Sequence, residues 1–141
     1  MGAVVLLLRI TTFLIEMKRR TFRNLKSRAA VQNGALHHHH VYVVLLDGKA
    51  AKNSKVLKAN PSRDPAKPCV YVGMTGLKPE ERFQNHKRGI KAARVVRRHG
   101  LKLLPNMYEC LNPMPFEAAA QMERDLAEDL RKQGYTVTGG Y

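Results

Sequence analysis

The sequence predicts a small α/β domain of the α+β type, in which helices flank a three-stranded mixed or antiparallel sheet. Two strand-like apolar runs come first, residues 41–46 and 69–72, and both are rich in β-branched or aromatic residues. Helical patterns, a third strand-like run and one long amphipathic helix follow them. Strands followed by helices in this order are typical of an α+β domain. The length of 141 residues is that of one domain.

The run 41–46, VYVVLL, is the strongest strand signal in the chain. Its near-continuous apolar sequence is typical of a central strand that is covered on both faces. Tyr42 within it is expected to be buried with a partner for its hydroxyl group. Residues 47–67 then form a long connector with many Lys and Arg residues and no apolar period. We interpret it either as a basic flap over a phosphate backbone or as a solvated, disordered loop.

The stretch 69–86, CVYVGMTGLKPEERFQNH, begins as a strand that ends at Gly73 and continues through a turn into a helix. Pro79 is suited to the first helical position, and acidic residues follow it in the first turn. Arg82 and His86 are four residues apart and therefore share one face of that helix. A guanidinium near the phenol of Tyr71 is suitable chemistry for holding a phosphodiester.

Five positions of this stretch resemble the second half of the GIY-YIG nuclease signature: Tyr71, Gly73, Thr75, Arg82 and His86. The tripeptide 40–42 resembles the first half, although His40 stands where the family has glycine. The resemblance covers residues 41–123. It implies a nuclease-like domain over residues 39–141 that cleaves phosphodiester bonds of DNA with Mg²⁺ or Mn²⁺ and no small-molecule cofactor.

The resemblance also implies a role for each site residue. Tyr42 would act as the general base or position the attacking water, and Tyr71 would hold that water or a phosphate oxygen. Arg82 would neutralise charge that develops on the phosphoryl oxygens, while His86 would orient a tyrosine or contact the phosphate. Glu123 would hold the metal ion that stabilises the leaving oxygen. Similar nucleases commonly carry an asparagine after the glutamate helix, and none follows Glu123 here.

The last predicted helix starts near Pro115, runs to about Lys132 and is closed by Gly134. Glu123 falls in the middle of its apolar stripe at 100° per residue. A carboxylate on an apolar face is costly unless it is paired or bound to a metal. Glu123 is therefore predicted to be either a metal ligand or the partner of a basic residue such as Arg82.

The chain is strongly basic, with 25 Lys and Arg against 11 Asp and Glu and a net charge of +14. This charge favours a polyanionic partner, nucleic acid before membrane. Residues 87–102 contain no acid, and we predict that they follow a nucleic-acid backbone. The residues assigned to that role are Lys87, Arg88, Lys91, Arg94, Arg97 and Arg98.

Residues 1–38 are predicted to be a basic, poorly ordered leader. Their apolar stretch, residues 3–15, is too short for a membrane span and contains Arg9. An alternative interpretation is a membrane-surface anchor followed by a polybasic patch. The run of histidines at 37–40 lacks a nearby Cys, Asp or Glu to complete a metal site.

Two further strands and the cysteines complete the sequence-based expectations. Residues 101–110 are predicted to form the third strand, bent at Pro105, and the tail from residue 135 a short edge strand. Cys69 and Cys110 form no CxxC pair and are predicted to be buried, reduced thiols, as in a cytoplasmic protein. The alternative to an enzyme is a nuclease-like module that binds nucleic acid without cutting it.

Overall fold

The computed structural model describes residues 37–140 and contains a mixed sheet of four strands. In chain order the strands are β1 (His40–Leu46), β2 (Cys69–Thr75), β3 (Gly100–Leu103) and β4 (Thr136–Gly139). Their order across the sheet is β3-β1-β2-β4. β1 pairs antiparallel with both β2 and β3, whereas β2 pairs parallel with β4. The predicted mixed α/β architecture is thus confirmed.

The described part of the chain contains four helices, α1 (Ser54–Ala59), α2 (Pro79–Arg88), α3 (Arg94–His99) and α4 (Phe116–Lys132). Pro79 occupies the first position of α2, as predicted, and Gly89 ends this helix in the left-handed region at φ 82°. The longest helix, α4, packs against β1, β2 and β4. None of the helices within residues 37–140 is long and apolar enough to cross a membrane.

The sheet has four strands rather than the three assigned to it from the sequence. The tail supplies β4 as an edge strand, and it runs parallel to β2 because α4 carries the chain back across the sheet. The third strand is shorter than the predicted 101–110, since β3 ends at Leu103 and two 3₁₀ turns, Pro105–Met107 and Glu109–Leu111, follow it.

The cysteine prediction is half correct. Cys69 is buried at the start of β2, and burial raises the pKa of its thiol to about 11. Cys110 is exposed, because it lies in a 3₁₀ turn beyond the end of β3 rather than in a strand. The buried thiol prediction is therefore wrong for Cys110.

The connector between β1 and β2 contains a 3₁₀ turn, Gly48–Lys52, and helix α1. Asn60 follows α1 and exchanges two hydrogen bonds, each 2.9 Å long, with the backbone of Val137 in β4. Asn60 therefore fills the place of a neighbouring strand at this edge. This anchoring holds the basic connector against β4.

The core lies on both faces of β1 and β2. Val41, Val43 and Val44 are fully buried, and so are Val70 and Val72 on the paired strand. Near-continuous burial along β1 confirms the interpretation of residues 41–46 as a central strand. The predictions for residues 1–36, an apolar stretch and a basic run, concern a part of the chain outside the described residues.

Candidate active site

Tyr42 and Tyr71 lie on the same face of the sheet. Tyr42 is opposite Gly73 in the antiparallel register, and Tyr71 is opposite Val44. Residues that are directly opposite point to the same face, so the two tyrosines are diagonal neighbours. Their ring centroids are 6.1 Å apart. The two phenol rings are therefore neighbours on this face of the sheet.

Gly73 provides the space that the tyrosines occupy. A Cβ atom at Gly73 would lie 2.6 Å from Tyr42 Oη and 2.9 Å from Tyr71 Cε1. Gly139 in β4 flanks the other edge of the same ring, because a Cβ there would lie 2.9 Å from Tyr71 Cε2. The Tyr71 ring is thus held in a slot between the backbones of two glycines.

Helix α2 brings Arg82 and His86 to the tyrosines. The Nε2 atom of His86 is 2.8 Å from Tyr42 Oη, and the His86 ring packs edge-on against Tyr71 at 5.8 Å between centroids. Arg82 donates hydrogen bonds to the carbonyl oxygens of Ile90 and Lys91, which hold its guanidinium beside Tyr42. Four of the five predicted catalytic residues therefore come together.

The backbone fixes which nitrogen of His86 carries the proton. The amide N–H of Ala93 donates to His86 Nδ1 across 3.0 Å, so Nδ1 is the unprotonated nitrogen of the neutral ring. The proton then resides on Nε2, which donates to Tyr42 Oη. The hydroxyl hydrogen of Tyr42 consequently points away from His86 and is available to Tyr71.

Burial dominates the pKa of the two inner groups. Burial and, second in size, the nearby charge of Arg82 together lower the pKa of His86 to about 4. Burial also raises the pKa of Tyr42, followed in size by the effect of Tyr71, whereas the charge of Arg82 and its hydrogen bond oppose this rise. Near neutral pH the His86–Tyr42 pair is therefore a neutral imidazole and a neutral phenol.

Glu123 lies on α4 and is 9% exposed, beside the buried side chains of Met122 and Leu126. Its predicted place among apolar residues is confirmed. Its backbone carbonyl oxygen lies 3.5 Å from the Cβ position of Gly140, next to the glycine that contacts Tyr71. No group of three or more His, Cys, Asp or Glu side chains within residues 37–140, the histidine run included, is arranged to hold a metal ion.

This donor set restricts the kind of ion that fits. Zinc sites in proteins use three or four nitrogen, sulfur or carboxylate ligands, which the described residues do not provide. Mg²⁺ keeps several of its waters and takes as few as one or two carboxylates. Glu123 would supply one such carboxylate to Mg²⁺ or Mn²⁺, and its 9% exposure limits the number of waters that the ion would keep there.

A cleft of about 500 Å³ opens beside Tyr71. The connector, α3 and the end of α4 contribute cationic side chains to it, and within residues 37–140 neither Asp nor Glu lines it. The five cations are Lys49, Lys55, Arg94, Arg98 and Arg131. We refer to this space as the basic cleft. Two of its cations, Arg94 and Arg98, are among the residues that we predicted to follow a nucleic-acid backbone.

The other residues that we predicted to follow the backbone lie outside the basic cleft. Lys87 donates from Nζ to the carbonyl oxygens of Arg97 and Gly100 at 3.1 and 3.0 Å, and thus caps the C-terminal end of α3. Arg88 and Lys91 are exposed outside the basic cleft. The guanidinium of Arg97 packs over Gly89.

Sequence reasoning missed Arg131 as a residue of this surface. It lies 29 positions beyond the end of the basic run at residue 102, near the end of α4, and only the return of α4 along the sheet brings it to the basic cleft. Its position opposite the apolar stripe gave no signal that distinguishes it from a solvated surface cation.

No family model, curated protein or solved structure matches the chain.

Proposed function

We propose that this chain is a metal-dependent endonuclease that hydrolyses phosphodiester bonds of DNA. One observation carries the proposal: two phenols, a guanidinium and an imidazole meet beside a cleft to which the described residues contribute five cations and no carboxylate. The resemblance to GIY-YIG nucleases, which rests on the same residues, supports it. Cationic clefts attract the backbone of nucleic acid.

The direction of the hydrogen bonds favours Tyr71 as the group that meets the substrate. Ala93 donates to His86, His86 donates to Tyr42, and the remaining Tyr42 hydrogen is directed to Tyr71. Donation towards the Tyr71 oxygen stabilises a phenolate there, which is the form that accepts a proton from water. Tyr71 also lines the basic cleft, whereas Tyr42 is 1% exposed. Tyr42 then serves to orient Tyr71.

Arg82 is suited to stabilise the negative charge that develops on the phosphoryl oxygens. A guanidinium has five N–H donors, which is more than its bonds to two carbonyl oxygens and a phenol require. Its contacts with the loop hold it in place before the substrate arrives, so little reorganisation accompanies the reaction.

Glu123 would hold the metal ion. A divalent ion there would supply positive charge to the leaving oxygen. Glu123 places a nearly buried carboxyl group on a helix that packs directly on β2 and β4. In its ionised form this group would supply the negative charge that a divalent cation requires.

The second candidate function is a module that binds nucleic acid without cutting it. The raised pKa of Tyr42 and the lack of a three-ligand group among residues 37–140 favour this alternative. Both candidate functions place the nucleic acid in the basic cleft. They differ only in whether the phosphodiester bond is then cleaved.

Nicking assays on linear and branched DNA, with Mg²⁺, Mn²⁺ or EDTA, distinguish the two candidates. We expect cleavage that requires the metal and disappears in the Glu123→Ala variant. Binding without cleavage under all metal conditions would instead identify the non-catalytic module. Cleavage that persists in Glu123→Ala would point to a contaminating nuclease.

A further inference from the structure

The basic cleft has the mixed lining that an unpaired strand of nucleic acid requires. Its cations come from three separate segments of the chain. The lining also includes the apolar side chains of Val56 and Val95 and the ring of Tyr71, which are partly exposed, and the nearly buried Ala50 and Val137. Single strands bind where cations meet the phosphates and apolar or aromatic surfaces meet the bases.

The size of the basic cleft argues against a base-paired helix as its occupant. Its volume of about 500 Å³ lies in the range of small-molecule sites, roughly 300–1,000 Å³. That space admits a nucleotide or two, whereas a duplex keeps its bases inside and presents its phosphates along two strands.

Arg131 provides an independent indication of an anionic occupant. Its Nε atom is buried and has no hydrogen-bond partner within the described residues. Buried polar atoms in proteins normally have a partner, so this nitrogen lacks an acceptor, and a shift of the Arg131 side chain towards the basic cleft would let it reach one there. Phosphate oxygens are the acceptors that guanidinium groups pair with best.

We propose that the basic cleft binds an unpaired strand of nucleic acid, with phosphates on Lys55, Arg98 and Arg131 and a base against the apolar wall beside Tyr71. A strand bound in this way places a phosphate next to Tyr71. The proposal deepens the nuclease hypothesis by assigning its substrate an unpaired segment, and it rests on that hypothesis only for the later cleavage of the strand.

Fluorescence anisotropy in EDTA tests the binding without any cleavage. The probes are labelled oligothymidylate and oligouridylate of about 12 nucleotides, a length within the range that single-strand binding sites cover, and a duplex of equal length. The cleft variant is Lys55→Ala with Arg98→Ala. The matched control, Lys78→Ala with Lys132→Ala, removes the same charge from exposed residues outside the basic cleft.

We expect the wild type to bind the single strand more tightly than the duplex. The cleft variant should bind oligothymidylate on the order of tenfold more weakly, with a salt slope reduced by about 1.4, at about 0.7 per lost phosphate contact. The control should leave both values near those of the wild type. Equal binding of oligouridylate supports the proposal as well, because unpaired RNA presents the same phosphates and base faces.

Three results would overturn the proposal: equal weakening by the cleft and control variants, duplex binding as tight as single-strand binding, or equally effective competition by polyglutamate or anionic vesicles. Lys55 and Arg98 are both exposed, so thermal melting should stay close to the wild type. If the double variant melts early, each single variant should give about half of the slope change.

Binding without cleavage would refute the nuclease hypothesis alone, and cleavage without selective binding would refute this proposal alone.

Discussion

Gly73 lies directly opposite Tyr42 in the β1–β2 register, and the ring of Tyr42 fills the space that a side chain at Gly73 would need. The Tyr42 hydroxyl oxygen would be 2.6 Å from a Cβ at this position, and the ring carbon Cζ would be 2.7 Å away. The positions of both tyrosine rings therefore require a residue without a side chain at position 73. Steric exclusion by these two rings explains why the motif has glycine there.

The Gly73→Ala variant should accordingly lose stability and activity together. A methyl group at this position must displace Tyr42 or Tyr71, and overpacking of this kind costs about 1–3 kcal/mol. We expect an earlier urea midpoint and a large loss of any cleavage. Gly48→Ala is the matched control, because a Cβ at Gly48 has nothing within 4 Å. Similar urea midpoints for the two variants would contradict the steric account.

Much of this site could be predicted from local sequence patterns. Strand alternation and the order of the two apolar runs predict tyrosines on adjacent strands, and the four-residue spacing places Arg82 and His86 on one helix face. Burial of Glu123 follows from helical periodicity in the same way. These relationships hold within one element or between neighbouring strands.

The basic cleft could not be predicted, since its residues meet only through long-range topology. Arg131 reaches it because α4 returns along the sheet. Lys55 reaches it because Asn60 holds the connector against Val137, and these two residues are 77 positions apart in the sequence. The Ala93–His86 hydrogen bond depends on the loop geometry between α2 and α3. Local patterns contain no information on any of these contacts.

Because of His86, the free energy of unfolding should decrease as the pH falls. Its pKa is lowered to about 4 in the folded protein, from 6.5 in the unfolded chain, so the unfolded state binds more protons between these values. The contribution is fully present above about pH 6.5 and is lost as the pH falls towards 4. We expect a loss on the order of 1–3 kcal/mol in urea unfolding over this range.

The His86→Gln variant tests this assignment. Glutamine cannot titrate, so its stability should fall less steeply between pH 6.5 and 4 than that of the wild type. His37→Gln removes an exposed imidazole and should preserve the wild-type slope. An unchanged slope in His86→Gln would assign the pH dependence to other groups.

Lys87 should prove to be a structural residue rather than a contact for DNA. Its ammonium group caps α3 through the carbonyl oxygens of Arg97 and Gly100, so Lys87→Ala should cost about 0.5–1.5 kcal/mol of stability. Arg88→Ala, at the exposed neighbouring position, should change stability by less than about 0.5 kcal/mol. Urea unfolding measures both values, and equal stability of the two variants would show that the cap is not significant.

The two tyrosines should differ in what they contribute. Tyr42→Phe leaves the buried Nε2–H of His86 without its acceptor and should cost about 1–3 kcal/mol. Tyr71→Phe removes the acceptor of the Tyr42 hydroxyl, so it should lower stability by a similar amount, and it should in addition reduce cleavage by at least about a hundredfold, the range expected for a general base. Thermal melts and single-turnover cleavage separate the effects. If Tyr42→Phe melts like the wild type, the hydrogen-bond chain is not significant in solution.

Glu123→Gln distinguishes a metal ligand from a structural partner of a basic residue. The substitution keeps the shape of the side chain and removes the charge that would hold Mg²⁺, so a ligand role predicts intact DNA binding, cleavage lower by orders of magnitude, and little change of melting in EDTA. A structural ion-pair role predicts the opposite, because a partly buried cation loses its counter-charge at a cost of about 3–5 kcal/mol. Glu128→Gln is the control on the same helix, where an exposed carboxylate lies 3.3 Å from Lys132. We expect the catalytic pattern, and a Glu123→Gln protein that melts far below both the wild type and this control in metal-free buffer would reject Glu123 as the metal ligand.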